Sequence, residues 1–183
     1  MNDFGRMVEE HIPRLRRYAR ALTRDVSRAD DLVQDCLARA VAKQKLFQPG
    51  TDLRAWLFTL LHNQYVNEVR RSSNQGAQIG LDEAPACPIE SNTMPSLELR
   101  DLRRAMAKVP AEQRQVILLV GLEGMAYEEV ARILNVPVGT VRSRLSRGRD
   151  LLRFLMGIKE KPPLTECGRT AVRPTPAQHP RAA

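Results

Sequence analysis

YEEVARILNVPVGTVRSRLSRGR, running from Tyr127 to Arg149, decides how the rest of the chain is read. Val130, Ala131, Ile133 and Leu134 recur at helical spacing. Asn135-Val136-Pro137 interrupts them. Asparagine tolerates the left-handed conformation that stops a helix and proline cannot continue one, so the spacing predicts a turn. A second amphipathic run follows, with Val138, Val141 and Leu145 on one face and Arg142, Ser143, Arg144, Ser146, Arg147 and Arg149 on the others. Two short helices about a tight turn, the second crowded with arginine, form the pattern of a helix-turn-helix, whose second helix enters the major groove of DNA. A solvated basic helix on an ordinary bundle would share the rhythm. However, Arg142–Arg153 holds five arginines against one acid, Asp150, without the alternating signs of a salt-bridged surface helix. DNA binding is the expectation.

Net charge supports a polyanionic partner: +8 over 183 residues, with a pI of about 10. Residues 1–72 carry 13 Lys and Arg against 9 Asp and Glu, and residues 96–158 carry 11 against 7. Between them, 73–95 carry three acids and no base. This division predicts two basic modules and a linker. Cys36, Cys87 and Cys167 are odd in number and lie in no CxxC arrangement, and His11, His62 and His179 are scattered. A reducing compartment is expected, with no disulfide framework, metal site or cofactor. No apolar run reaches membrane-spanning length, and Asp3, Glu9 and Glu10 speak against a signal peptide. A cytoplasmic protein with no membrane insertion, monomeric when free, is the reading.

An all-α chain is expected, since no segment has strand period. Phe4, Val8, Ile12, Leu15, Tyr18, Ala19 and Leu22 form one stripe, predicting a first helix over 3–23. Ser27 and Asp30 suggest the capping-box start of a second helix, burying Leu32, Val33, Cys36, Leu37, Ala40 and Val41. Pro49-Gly50 makes a turn and Thr51 can cap a third helix over 52–72. That helix buries Leu53, Trp56, Leu57, Leu60 and Leu61 and shows His62, Asn63, Asn67, Arg70 and Arg71 on its other face. Residues 73–95 read as a flexible linker. A fourth helix, from Pro95 to Lys108, turns Leu97, Leu102 and Met106 inward. Pro110 starts a fifth, with Val116, Ile117, Leu119 and Val120 apolar, which Gly121 and Gly124 end. From Lys159 onward five prolines and few apolar residues predict a disordered tail.

DDLVQDCLARAVAK (30–43), LRAWLFTLLHNQYVNEVRR (53–71) and PAEQRQVILLVGLEGMAYEEVARILNVPVGTVRSRLSRGR (110–149) stand in the order and spacing of bacterial extracytoplasmic-function sigma factors. The chain resembles that family over about residues 3–156. The resemblance implies a sigma-two domain (1–72), a linker (73–95), a sigma-four domain (96–158) and a tail outside it (159–183). It implies that Asp31, Gln34, Asp35 and Arg39 dock on core RNA polymerase; on the residues alone they are ordinary solvated polar groups. It further implies that Gln48, Thr51, Asn63, Asn67, Arg70 and Arg71 meet the minus-ten promoter region, where melting requires an unstacked base to be held. Trp56 could pass for a stacking platform, but its spacing with Leu53, Leu57 and Leu60 favours the core. Arg114, Thr140, Arg142, Ser143, Ser146 and Arg147 match the contacts to the minus-thirty-five element. Which arginines read bases and which position the helix stays open. KQKLFQPGTDLRAWLFTLLHNQYVNEVRR looks closest to the general-stress-response branch, whose members are controlled by an anti-sigma factor.

Two other kinds of binding protein share a helix-turn-helix or its fold. A conventional helix-turn-helix regulator usually brings a ligand or receiver domain or a dimerisation helix, and none is visible. A sigma mimic that titrates an anti-sigma factor should have lost its arginines. An enzyme is disfavoured by the lack of a Gly-rich phosphate loop, carboxylate pair or nucleophile–base motif.

Overall fold

A computed structural model describes residues 3–48, 50–74 and 97–158. The expected linker beyond Asn74 and the expected tail lie outside the described residues. Among those residues the chain forms α-helices joined by turns, and no strand occurs.

The first stripe is two helices, α1 (Asp3–Glu9) and α2 (Ile12–Thr23). Pro13 is the cause: it has no N–H to give back to Glu9, so the helix ends at Glu9 and restarts with proline in its first turn. Arg24, at φ 62°, closes α2 in the left-handed conformation. Asp25 then starts α3 (Val26–Ala42), its carboxylate accepting from Arg28 N at 2.9 Å. The cap is therefore Asp25, two residues before the expected Ser27, because the turn at Arg24 leaves Asp25 extended. Ala29, Leu32, Val33, Cys36 and Ala40 are buried, while Val41, expected inside, is 62% exposed in the last turn of the helix. A short 3₁₀ turn (Gln44–Leu46) leads to α4 (Leu53–Asn74). Asp52, and not Thr51, caps α4 by accepting from Ala55 N at 3.2 Å; Thr51 Oγ1 instead donates to Gln48 O at 2.7 Å.

Side chains from α1, α2, α3 and α4 pack together in the core of this first group. Tyr18 is fully buried and meets Phe58 edge-on at 5.3 Å. Trp56 is half-buried and packs against Phe4 and Phe47 at the edge of that core, at 6.3 and 5.5 Å between ring centroids.

The second group comprises α5 (Leu97–Lys108), α6 (Ala111–Ile117), a π-type turn (Leu118–Leu122), α7 (Tyr127–Leu134) and α8 (Val138–Leu155). Leu97, expected inward, is 75% exposed: it stands at the start of α5, and Ala105 is the buried residue of that helix. Gly121 lies inside the π turn, and it is Gly124, at φ 66°, that turns the chain. Asn135 takes the left-handed conformation at φ 52°, and Val136 N donates to Ala131 O at 3.0 Å. Pro137, extended, starts α8. The expected turn between the two helices is thus present.

The two groups touch. α4 packs against α7, and α2 against the π turn. Arg17 Nη2 lies 2.7 Å from Glu123 Oε1 and also donates to Leu122 O at 3.2 Å. Arg54 donates to Glu123 O at 3.3 Å and stands 3.8 Å from Glu129.

Candidate nucleic-acid interface

Val141 and Leu145 of α8 are buried against α6 and α7, which fixes the outward face of the helix. Arg142, Ser146, Arg147 and Arg149 are exposed on that face, and Thr140 and Ser143 lie half-buried at its edge. The Arg142 guanidinium carbon sits 6.0 Å from the Tyr127 ring centroid, and Ser143 Oγ donates to Thr140 O at 3.0 Å. Arg144 turns away to Glu112, at 2.6 Å, so it braces α8 on α6. Gly148 allows the close approach: a Cβ there would stand 2.7 Å from Ile117 Cδ1 and 3.1 Å from Gln113 Cβ.

Arg114 does not share this face. It is 8% exposed, and its Nη2 donates to Ala107 O and Val109 O at 3.1 and 2.8 Å. Those carbonyls end α5 and have no helical partner, so the guanidinium satisfies the chain itself. A phosphate contact by Arg114 is thus not what this arrangement offers; its burial overrides the role implied by the resemblance.

On α4, Asn63, Asn67, Arg70 and Arg71 are exposed at helical spacing, with Gln48 and Thr51 exposed in the turn before it. His62, expected beside them, is 8% exposed, and its Nδ1 has no partner. Burial pushes its pKa down to about 4. A base held neutral by folding favours the native state fully above its ordinary value of 6.5, and that advantage drains away as pH falls toward 4. Stability measured by urea titration should therefore drop by about 3 kcal/mol between pH 7 and 4 through this group. His62→Leu should flatten that slope; an unchanged slope would contradict the burial argument.

Asp31, Gln34, Asp35 and Arg39 are exposed along α3. Asp35 Oδ2 accepts from Gln64 Nε2 of α4 at 2.7 Å, and Arg28 bridges to Glu68 at 2.8 Å. Asp31, Asp35, Gln64, Asn67 and Arg71 line one groove between α3 and α4, so the two candidate faces of the first group adjoin.

Sequence reasoning missed Arg17, Arg54, Glu123 and Glu129. Glu123 stands alone in an apolar run, which was a signal, but its partner Arg17 is 106 residues away. Among the described residues no cluster of His, Cys, Asp and Glu could hold a metal, and no helix is long and apolar enough to cross a membrane.

An arginine-faced helix-turn-helix packed on a helical group with its own polar-basic face is the arrangement of a two-part nucleic-acid-binding protein. Residues 8–62 match the family model Sigma2 domain of PhyR, and residues 99–152 match Sigma-70, region 4. Over 145 residues the chain is 38% identical to the ECF RNA polymerase sigma factor EcfG of Rhodopseudomonas palustris (strain TIE-1), covering 79% of this chain and 80% of that relative. The sigma factor RpoE from Bartonella quintana, solved in complex with the anti-sigma factor NepR, superposes with a TM-score of 0.77 at 35% identity, covering 86% of this chain and 99% of that one. CnrH, solved with the cytosolic domain of CnrY, gives 0.63 at 28% identity, over 84% and 87% of the two chains. The chain belongs to the extracytoplasmic-function sigma factors of bacterial RNA polymerase. These are transcription initiation factors.

Proposed function

We propose that this sigma factor divides its work between a sigma-two domain (1–72) and a sigma-four domain (96–158), joined by the linker expected over 73–95, whose first two residues still belong to α4. In this reading Asp31, Gln34, Asp35 and Arg39 dock on core polymerase. Gln48, Thr51, Asn63, Asn67, Arg70 and Arg71 hold the minus-ten region, and Thr140, Arg142, Ser143, Ser146 and Arg147 meet the minus-thirty-five element. The protein performs no catalysis of its own. The likeness to NepR-bound RpoE supports control by an anti-sigma factor, and a role in stress responses goes with that reading. The observation that carries the reading is the exposed arginine face of α8, clamped from behind by Gly148 and the Arg144–Glu112 pair. A firmly seated helix carrying exposed cationic donors is what base and phosphate recognition need.

Run-off transcription on fragmented genomic DNA, with core polymerase and with or without the chain, tests it. Protein-dependent discrete transcripts are expected; DNA binding without transcripts would favour a conventional regulator. Arg147→Ala should reduce promoter-dependent transcripts about tenfold or more, the scale of losing one charged contact at a base or phosphate. Holoenzyme formation, followed by gel filtration, should be unchanged. Its loss would contradict the division of labour.

A further inference from the structure

We propose that Gln64 is a positioning residue for polymerase docking, holding Asp35 ready to accept a cationic donor of the partner. The inference rests on the docking reading of α3. Gln64 is 9% exposed on the α4 wall of the groove, and its Nε2 reaches across to Asp35 Oδ2 at 2.7 Å. Its Oε1 is buried and has no partner. A buried amide oxygen without a donor is unfavourable, so the orientation needs a reason. The chemistry supplies one. Turning the amide over would set Oε1 against the Asp35 carboxylate, two acceptors face to face. The Asp35 bond therefore fixes the amide, and the amide in turn fixes Asp35.

One carboxylate oxygen of Asp35 is thereby tied to the protein, while the residue as a whole stays exposed. An exposed aspartate on a helix otherwise samples several rotamers, and ordering it on binding weakens association. Tied by Gln64, it meets the partner already ordered. Asp31 lies one turn earlier on the same wall, and Glu68 of the groove is already matched by Arg28 at 2.8 Å. With Arg71 as the remaining cation of its lining, the groove thus presents two carboxylates, Asp31 and Asp35, to a lysine or arginine approaching from outside. Gln64 touches none of that partner. It acts through Asp35.

The test is the affinity of the labelled full chain for core RNA polymerase, with thermal unfolding of each variant alongside. Gln64→Leu should bind roughly three- to tenfold more weakly, the scale of ordering one side chain, because Asp35 is released. Its unfolding midpoint should hold or rise, since an unpaired buried acceptor is removed. Asp35→Ala should also weaken binding, and Asp35→Ala/Gln64→Leu should be no weaker than Asp35→Ala alone. Should leucine prevent folding, Gln64→Met is read the same way. The positioning role is overturned if Gln64→Leu binds like the wild type, if its effect persists undiminished on the Asp35→Ala background, or if affinity falls only in step with stability. In each of those cases a weakened Asp35→Ala leaves the docking reading standing. Wild-type binding by Asp35→Ala would remove the docking reading and the inference together.

Discussion

Arg17→Ala is expected to weaken the contact between the two helical groups by about 3 kcal/mol, and Glu123→Ala by roughly half as much. The two residues share a 2.7 Å ion pair but not an environment: the Glu123 side chain is 0% exposed and that of Arg17 is 52% exposed. Removing Glu123 returns a half-solvated guanidinium to water, as at a surface pair. Removing Arg17 leaves a buried carboxylate whose other oxygen already has no partner. Separation of the groups, which would hydrate that carboxylate, is the cheaper response. Small-angle scattering should show Arg17→Ala more expanded than the wild type, with helical circular dichroism retained. The double variant should recover part of the loss, because the stranded charge is gone. If Glu123→Ala proved the more expanded of the two, this account of the contact would be wrong.

Gly148→Val should lower stability by about 2 kcal/mol, shifting the melting temperature by about 5 °C or more in a chain of this size. Glycine inside a helix is unfavourable by about 1 kcal/mol relative to alanine, so its presence in α8 needs a packing reason. That reason is Ile117, whose Cδ1 would lie 2.7 Å from an added Cβ. Gly148→Ala should be milder, since helix propensity offsets part of the overlap. Pairing it with Ile117→Val, which deletes Cδ1, should bring stability back to the wild-type level or above. Promoter affinity should follow the same order, because a displaced α8 carries Arg142 and Arg147 with it. Equal stability of Gly148→Val and the wild type would show that α6 can simply move aside.

Helical spacing located the helices on which the candidate contacts lie, because an amphipathic stripe is a local property of the chain. The left-handed Asn135 and the proline after it marked the helix-turn-helix without help from distant residues. Where the reading erred, the deciding partner was remote or the geometry non-standard. Arg114 looks like any surface arginine in sequence, and only the approach of Ala107 and Val109 turns it into an internal cap. His62 sits between exposed Asn63 and buried Leu61, so a modest rotation of α4 decides its fate. Val41 and Leu97 show the opposite fault: apolar residues at helix ends need not meet anything. The grip of Arg17 and Arg54 on Glu123 was beyond reach, since no local pattern links residues so far apart.

The π turn at Leu118–Leu122 acts as a change of phase in an otherwise continuous rod. An α-helix turns each successive side chain by about 100°, and one additional residue in a turn sets everything beyond it back by about that angle. Upstream of the turn, Gln113 and Ile117 face Gly148 of α8. Downstream, Leu122 and Glu123 face Arg17 of the other helical group. A regular helix over the same residues would carry Glu123 about a quarter-turn away from Arg17. That one irregular turn therefore lets a single rod address two neighbours on different sides.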